Sequence, residues 1–211
     1  MLFPPAFFIT GTDTNVGKTV VSAILTSGLQ GTYWKPIQSG FPKDTDWVKQ
    51  VSELPDNHFV PEQFVLSRPL SPHLSAKLDG LHISLKDFAL PAAKSPLIIE
   101  GAGGIMVPIN EKDYVIDIIK QLNLPVILVA RSTLGTINHT LLSLEKLRNA
   151  KINVLGIVMN GPKNNDNREA LEHYGKISVL AEIEPIKIFD RETLIHIFQN
   201  EFQKNNVKQP C

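Results

Sequence analysis

Cysteine is almost absent from the 211-residue chain, since its one cysteine is the last residue, Cys211. This excludes an internal disulfide and a cysteine metal cage, argues against a thiol nucleophile, and makes the reducing cytoplasm the expected location. No apolar run approaches the roughly 18 residues of a membrane helix, so we expect a soluble protein with no membrane partner. The apolar stretch near the amino terminus has no basic leading segment, and Pro4 and Pro5 interrupt it, unlike a signal peptide.

Net charge is lacking as well, because 21 lysines and arginines balance 21 acidic residues. This balance argues against a nucleic acid or an anionic lipid surface as the partner. The composition, with 43% apolar and 20% charged residues, excludes collagen-like and coiled-coil chains and argues against extensive disorder. A chain of this length can bury a full core, and we expect one domain over residues 1–211, with a polar tail after Gln203.

Short apolar runs alternate with helical patterns along the chain. The runs are solidly apolar, which is typical of strands covered on both faces, so we predict an α/β fold with a mainly parallel, doubly wound sheet. The predicted strands are Ala6–Thr10, Thr32–Lys35, Leu97–Glu100, Val126–Ala130, Val154–Met159 and Ile177–Ala181. The predicted helices are Lys18–Leu29, Asp44–Ser52, Leu85–Ala93, Asp113–Leu122, Ile137–Asn149, Arg168–His173 and Arg191–Gln203. Pro55–Gly80 is the least regular segment, and its interleaved apolar residues predict an ordered excursion rather than a linker.

A phosphate-binding loop is predicted directly after the first strand, where residues 11–19 read GTDTNVGKT and open a helix. Backbone amides at the helix start suit phosphates, Lys18 can neutralise them, and the Thr19 hydroxyl can bind Mg²⁺. The strict pattern has glycine where this chain has Thr12, and Gly11 lies one residue earlier, so the loop is a lengthened variant. A chance Gly-Lys-Thr at a helix start is the alternative, and the preceding strand argues against it.

A second candidate element is the apolar strand that ends in Glu100, followed by a predicted glycine-rich turn. In nucleotide hydrolases and kinases, a carboxylate at a strand end holds Mg²⁺ near the phosphates, and glycines beside it allow close approach of a ligand. A Glu-Gly turn is common by itself, so the phosphate loop upstream is what favours the metal site. Asp44 or Asp46 could complete it; both also suit a helix start, and spacing does not distinguish them.

Lys35 ends the second predicted strand and is followed by a loop that begins with proline, Pro36. A lysine in this place would point into the crevice above the carboxyl ends of the strands, where ligands bind in doubly wound folds. A surface lysine at a strand edge is the alternative.

Six motifs in order resemble the dethiobiotin synthetase family, over about residues 6–186. They are GTDTxVGKT from Gly11, KPxxSG from Lys35, Ser71-Pro72-His73, EGAGG from Glu100, Leu134-Gly-Thr-Ile-Asn138-His139 and the strand ending at Asn160. The resemblance implies a P-loop NTPase-type fold and an ATP- and Mg²⁺-dependent ligase. Such an enzyme closes 7,8-diaminononanoate and CO₂ into the ring of dethiobiotin and releases ADP and phosphate.

The resemblance also implies roles for individual residues. Lys35, Lys18 and Thr14 would be catalytic, and Thr19, Glu100 and Asp46, rather than Asp44, would hold Mg²⁺. Ser39 would contact the substrate. The remaining nucleotide contacts would be Asn15, Val16, Gly17, Val20, Gly101, Ala102, Gly103, Asn160, Gly161, Glu184, Pro185 and Ile186.

The family binds its substrate across a homodimer interface. In this chain, Leu134, Gly135 and Asn138 of the second subunit would then bind the substrate carboxylate at a helix N-terminus. Plain capping of that helix by Thr136 or Asn138 is the local alternative. His73, in the Ser-Pro-His turn, lies near the substrate by resemblance.

The chain departs from the family pattern in three places. Asn15 replaces a common glutamate, the usual Gly-Glu-Ile-Pro reads Ala181-Glu-Ile-Glu-Pro185, and the segment between Asn160 and Ala181 is short. The last two leave the exact purine contacts open. Asn160 is followed by Gly-Pro-Lys, not by the pattern that reads guanine, which favours ATP.

Three other functions compete with this interpretation. Partitioning and septum-positioning ATPases carry an extra lysine in the phosphate loop where this chain has Asp13. Amidating ligases of corrinoid synthesis add a glutaminase domain, for which 211 residues leave no room. The presence of both Lys35 and Glu100 argues against a regulatory nucleotide-binding module without catalysis.

Overall fold

A computed structural model describes residues 3–94 and 96–203. Its strands are β1 (Ala6–Gly11), β2 (Thr32–Trp34), β3 (Ile37–Ser39), β4 (Phe59–Val60), β5 (Phe64–Leu66), β6 (Leu97–Gly104), β7 (Val126–Arg131), β8 (Val154–Asn160) and β9 (Val179–Ile183). Its α-helices are α1 (Lys18–Leu29), α2 (Asp44–Ser52), α3 (Pro72–Leu78), α4 (Val115–Leu122), α5 (Thr136–Asn149), α6 (Asn165–Gly175) and α7 (Arg191–Ile197).

Seven of these strands form one parallel sheet in the order β4-β2-β6-β1-β7-β8-β9. Alternate side chains of β1 pack into two separate hydrophobic cores, one on each face of the sheet, because successive side chains of a strand point to opposite faces. Phe7 and Ile9 pack with side chains of α1, α2 and α7, whereas Phe8 packs with side chains of α4, α5 and α6. Helices therefore cover both faces, and the predicted doubly wound parallel sheet is confirmed.

The sheet order brings three chemically important strand ends together. β6 pairs with β2 on one side and with β1 on the other, in a register that aligns Tyr33 with Ile98 and Ile9 with Glu100. The loop before α1, the segment after Trp34 and the Glu100 carboxylate consequently meet at the carboxyl edge, where doubly wound folds bind ligands.

The irregular segment Pro55–Gly80 is an ordered excursion, as predicted. β4 joins the edge of the main sheet beside β2, and β5 pairs in parallel with β3 as a separate two-stranded sheet. α3 then begins at Pro72, a residue suited to the first turn of a helix because it lacks an N–H. The excursion thereby builds a wall beside the carboxyl edge of the main sheet.

The prediction of a helix over Leu85–Ala93 is wrong, because only a 3₁₀ turn forms, at Leu85–Asp87. Phe88 leaves the turn with extended backbone and is buried, and Gln121 of α4 donates to its carbonyl at 2.8 Å. Pro91 further disfavours helical backbone at the residue before it. Extended backbone with the buried side chain of Phe88 is thus found where the pattern favoured an amphipathic helix.

The predicted glycine-rich turn after Glu100 is also wrong, since β6 continues to Gly104, which pairs with Gly11 of β1. A Cβ on Gly101 would lie 2.7 Å from Cε1 of Phe8. Glycine is therefore needed there for close packing against β1 rather than for a turn.

The last predicted helix, Arg191–Gln203, is divided into α7 and a π-helical turn over Phe198–Gln203.

Within residues 3–94 and 96–203, no helix is long and apolar enough to cross a membrane. Cys211 and the predicted polar tail after Gln203 lie outside the described residues. That residues 1–211 form one domain therefore stays a prediction, and so does the cytoplasmic location.

Candidate active site

Two residues with left-handed backbone conformation and one hydrogen bond from β8 hold the phosphate-binding loop in shape. Asn15 has φ 59° and Gly17, the residue before α1, has φ 95°. A Cβ on Gly17 would lie 2.2 Å from Nδ2 of Asn160, which itself donates to the carbonyl of Val16 at 3.1 Å. The structure thus brings together four residues predicted to contact nucleotide, and the approach of Asn160 requires glycine at position 17.

Lys18 at the start of α1 is buried and folds back over the loop, where its ammonium donates to the carbonyl of Asp13 at 3.0 Å. Burial lowers the pKa of Lys18 to about 8, although the negative charge of Glu100 partly opposes this effect. The Asp13 carboxylate pairs with Arg131 at the end of β7, 2.6 Å away. The loop therefore holds a buried cation whose charge a bound phosphate would stabilise.

Glu100 is the centre of the site, with a side chain that is 0% exposed. Its Oε1 accepts from the Thr19 hydroxyl and from the Lys35 ammonium, each at 2.9 Å, and its Oε2 accepts from the Tyr33 hydroxyl at 2.9 Å. Burial alone would raise the pKa of the Glu100 carboxyl, but the Lys35 charge and hydrogen bond hold it below its ordinary value. Glu100 is therefore an ionised buried carboxylate.

Lys35 lies between two carboxylates, those of Glu100 and Asp44. Burial would lower the pKa of the Lys35 ammonium, but the charges of Glu100 and Asp44 raise it above its ordinary value. The alternative of a surface lysine is excluded, since Lys35 is 6% exposed.

The structure distinguishes Asp44 from Asp46, the two aspartates between which spacing in the sequence could not decide. Asp44, the first residue of α2, contacts Lys35, and its backbone N–H donates to Oε1 of buried Gln38 at 3.1 Å. Asp46 is exposed and lies outside the cavity that Asp44 lines. Side chains two positions apart on an α-helix point in directions that differ by about 200°, so Asp44 and Asp46 cannot both face the site. Asp44 therefore lines the cavity, whereas Asp46, the aspartate that the resemblance favours as a Mg²⁺ ligand, does not.

These groups border one cavity of about 810 Å³. Its walls come from the phosphate loop, the segment from Lys35 to Asp44, the turn before α3 and the end of β6. The predicted site residues among its lining are Thr14, Asn15, Gly17, Lys18, Thr19, Val20, Lys35, Ser39, Glu100, Ala102 and Gly103. Val16 and Gly101 are buried beneath that surface.

Other predicted residues lie elsewhere. Glu184, Pro185 and Ile186 line a second cavity, of about 400 Å³, beside α7. Gly161, after β8, has φ 133°, and a Cβ there would lie 2.4 Å from the hydroxyl of Ser132. His73 is exposed and does not line the large cavity, whereas Ser71 and Pro72 do.

The start of α5 lies outside both cavities, and Leu134, Gly135 and Asn138 are exposed there. The residue before the helix is Gly135, with φ 91°, and no side chain caps the helix. This observation excludes the alternative of plain capping by Thr136 or Asn138.

Two residues of the site were missed by sequence reasoning, namely Tyr33 and Gln38. Both lie in short buried strands, where an aromatic residue or a glutamine suggests core packing alone. A buried tyrosine usually finds a hydrogen-bond partner, which could have pointed to Tyr33. Burial, followed by the negative charge of Glu100, raises the pKa of Tyr33 well above its ordinary value, so its hydroxyl stays protonated and remains a donor.

The oxygen atoms of the site fit a magnesium ion better than a transition metal. Across residues 3–94 and 96–203, no group of three or more His, Cys, Asp or Glu side chains could hold a metal. Glu100 and Asp44 offer two carboxylates, which both contact the Lys35 ammonium, and the Thr19 hydroxyl lies beside Glu100. Mg²⁺ is usually held by one or two carboxylates together with the phosphates of a substrate.

Comparison with known sequences gives relatives that cover nearly the whole chain. A family model described as an AAA domain matches residues 5–193. An ATP-dependent dethiobiotin synthetase of Paramagnetospirillum magneticum is 49% identical over 187 residues, which cover 89% of this chain and 91% of that one. One from Brucella ovis is 43% identical over 196 residues, with 92% of both chains covered. A biotin biosynthesis bifunctional protein of Bordetella avium is 47% identical over 194 residues; the match spans 90% of this chain but only 42% of that relative.

Solved structures with the same fold are much more distant in sequence. A plasmid partition protein of Borrelia burgdorferi bound to AMPPNP has a TM-score of 0.57 at 14% identity, covering 94% of this chain and 99% of that one. The MinC:MinD cell division complex of Aquifex aeolicus has a TM-score of 0.54 at 12% identity, covering 99% and 98%. The likeness confirms the predicted P-loop NTPase-type fold and, at this identity, carries no further conclusion.

The lowered pKa of Lys18 predicts that binding of a nucleoside triphosphate takes up protons near pH 8. Part of the free protein carries a neutral Lys18 there, and the negative phosphates raise its pKa, so affinity should fall as pH rises above about 8. Calorimetry in buffers of different ionisation enthalpy measures the uptake. Lys18→Arg is the control, because a guanidinium does not titrate in this range. Proton uptake that persists in Lys18→Arg would contradict the assignment.

Proposed function

The chain belongs to the dethiobiotin synthetase family, and from this premise we propose that it forms dethiobiotin from 7,8-diaminononanoate, CO₂ and ATP. The observation that carries the proposal is the convergence of the phosphate loop, Lys35 and Glu100 on one cavity of about 810 Å³. The ammonium groups of Lys18 and Lys35 line the cavity and can pair with a triphosphate, and the cavity has room beside them for a second substrate. A nucleotide-binding module without chemistry has no need of the buried Lys35.

The proposed reaction has three steps, in which the substrate supplies its own nucleophiles. One amine adds to CO₂ and loses a proton, which gives a carbamate. A carbamate oxygen then attacks the γ-phosphorus of ATP, and ADP leaves. The second amine attacks the carbonyl carbon of the carbamoyl phosphate, and loss of phosphate and a proton closes the cyclic urea. The single cysteine at the end of the chain is consistent with this chemistry, because no protein thiol is needed.

The basic residues of the site serve to position and stabilise charge. Lys18 and the backbone amides of residues 14–19 would hold the β- and γ-phosphates at the N-terminus of α1. Lys35 would contact the carbamate and the transferring phosphoryl group, since its ammonium is buried, charged and at the cavity wall. Phosphoryl transfer places negative charge on equatorial oxygens, which fixed cations stabilise in a site of low dielectric. Thr14, exposed on the loop, completes the predicted catalytic set.

Thr19, Glu100 and Asp44 would hold the magnesium ion. The ion would supply positive charge beside the β- and γ-phosphates, as it does in related phosphoryl-transfer sites. Asp44 takes the place first given to Asp46, because Asp44 faces Lys35 and the cavity. Both carboxylates of this set already pair with one cation, the Lys35 ammonium.

The part of the cavity beyond Lys35 is suited to the diamine. Ser39 lines it, and among the described residues its buried hydroxyl has no hydrogen-bond partner, which makes it available to a substrate amine or carbamate. Ser71 and Pro72 at the start of α3 line the same cavity.

We place the substrate carboxylate at a homodimer interface, with Leu134, Gly135 and Asn138 contributed by the second subunit. Among the described residues, no side chain caps the N-terminus of α5, although the backbone N–H of Thr136 donates to the carbonyl of Thr133. Leu134 beside it is 99% exposed, so its side chain is accessible to a second subunit.

The purine would lie near the ends of β8 and β9. Asn160 already contacts the phosphate loop through Val16, and Gly161 follows it. The backbone N–H of Gly161 donates to the carbonyl of Ile183 at 2.9 Å, which brings the segment Glu184–Ile186 close to Asn160. ATP is the proposed nucleotide, since the guanine-reading pattern is missing.

A partitioning-type ATPase is the second candidate, and only the likeness in fold favours it. Such proteins need a lysine near the start of the phosphate loop, where this chain has Asp13 paired with Arg131. A carboxylate in that place cannot supply the ammonium group that such an assembly would require.

The purified protein should form dethiobiotin and one phosphate per product from 7,8-diaminononanoate, bicarbonate, ATP and Mg²⁺. Lys35→Met should lower turnover by about 100-fold or more with little effect on ATP affinity, because it removes charge stabilisation at the transferring group. Product is measured by mass spectrometry. Lys43→Met is the matched control, since Lys43 pairs with Glu62 outside the carboxylate cluster. Phosphate release that is independent of the diamine would instead support the partitioning-type ATPase.

Asp44→Asn should raise the Mg²⁺ concentration needed for half-maximal activity on the order of 10-fold, because it removes one charged oxygen of the site. Asp46→Asn removes the same charge two residues further along α2, on an exposed side chain, and should leave the requirement unchanged. Mg²⁺ titrations of initial rate measure both. An effect of Asp46→Asn that exceeds that of Asp44→Asn would contradict the assignment of Asp44.

A further inference from the structure

Tyr33 is a buried polar residue at the site to which the proposed reaction gives no role. It lies in β2, two residues before Lys35, and its side chain is 0% exposed. Its ring contacts Phe59 edge to face, with ring centroids 6.4 Å apart, and its hydroxyl donates to Oε2 of Glu100 at 2.9 Å. Phenylalanine would fill the same core position, so packing alone does not account for the hydroxyl.

The two oxygen atoms of Glu100 have different partners. Oε1 accepts from Thr19 and from Lys35, which both line the cavity. Among the described residues, the Tyr33 hydroxyl is the one donor to Oε2. A carboxylate is free to turn about its terminal bond, and fixing one oxygen fixes the direction of the other. While Oε2 is bonded to Tyr33, Oε1 is directed at Thr19 and Lys35.

We propose that Tyr33 is a positioning residue for binding of the metal–nucleotide complex: its hydroxyl holds Glu100 Oε2, so that Oε1 stays directed at Thr19 and the phosphates. The inference rests on the proposed function, because it takes Glu100 to be a Mg²⁺ ligand. Tyr33 contacts neither substrate nor metal and acts through Glu100. Hydrogen-bond partners of metal-binding carboxylates commonly set metal affinity in this way.

The test uses Tyr33→Phe in the full chain, with Mn²⁺ as the probe and AMPPNP as the nucleotide. Electron paramagnetic resonance measures free Mn²⁺ during a titration of the protein–nucleotide complex. The Mn²⁺ dissociation constant should rise about 10-fold in Tyr33→Phe. The affinity for AMPPNP in the presence of EDTA should be unchanged, because the phosphate loop keeps all its contacts.

Two further variants separate positioning from packing. Phe59→Leu alters the surroundings of the Tyr33 ring but keeps the hydroxyl, so its Mn²⁺ affinity should match the wild type. In a Glu100→Gln background, Tyr33→Phe should change Mn²⁺ affinity by less than about two-fold, because a residue that acts through Glu100 has no independent effect.

Each contrary result has a distinct meaning. Wild-type Mn²⁺ affinity in Tyr33→Phe would refute the positioning role and leave the proposed ligase untouched. An equal loss in Phe59→Leu, or a parallel loss of metal-free AMPPNP binding, would show a packing role and refute the proposal. Absence of nucleotide-dependent Mn²⁺ binding in the wild type would refute the metal site of the proposed function, and the role of Tyr33 with it.

Discussion

The burial of one carboxylate, that of Glu100, is the constraint on which the rest of the site depends. An ionised carboxylate without access to water is costly unless it is paired and hydrogen-bonded. Glu100 meets this condition through three donors, from Thr19 at the start of α1, from Tyr33 in β2 and from Lys35 directly after β2. Loss of one partner of such a buried pair costs about 3–5 kcal/mol, so the pairing also holds the elements in place.

The sheet order makes this pairing possible. β6 lies between β1 and β2, so the phosphate loop after β1 and Lys35 after β2 reach Glu100 from opposite sides. α2 begins with Asp44, whose N–H is held by Gln38, and this second carboxylate completes the surroundings of Lys35. Phosphate binding, the proposed metal ligands and the proposed catalytic lysine thus share one electrostatic cluster, although the chain as a whole has no net charge.

Sequence reasoning predicts most of the fold, and α1 and α2 even begin and end where expected, because strand–helix alternation and helix-start residues are local signals. Spacing alone could not tell which of Asp44 and Asp46 lines the cavity, because the contacts of Asp44 with Lys35 and Gln38 come from other elements of the fold. Tyr33 was missed because a tyrosine in a buried strand resembles core. A helix over Leu85–Ala93 was wrongly predicted from the spacing of apolar residues, because Pro91 and the burial of Phe88 outweigh that spacing. The proposed purine contacts and the proposed homodimer interface likewise depend on contacts beyond local sequence.

Replacement of Glu100 by Gln is the sharpest test of the role given to this carboxylate, because it keeps the shape of the side chain and removes its charge. The measurement is dethiobiotin formation, with AMPPNP binding determined with and without Mg²⁺. We expect Glu100→Gln to retain nucleotide binding in EDTA, to lose the gain in affinity that Mg²⁺ provides, and to form product at least about 100-fold more slowly. Wild-type turnover and a wild-type Mg²⁺ effect in a folded Glu100→Gln protein would contradict that role.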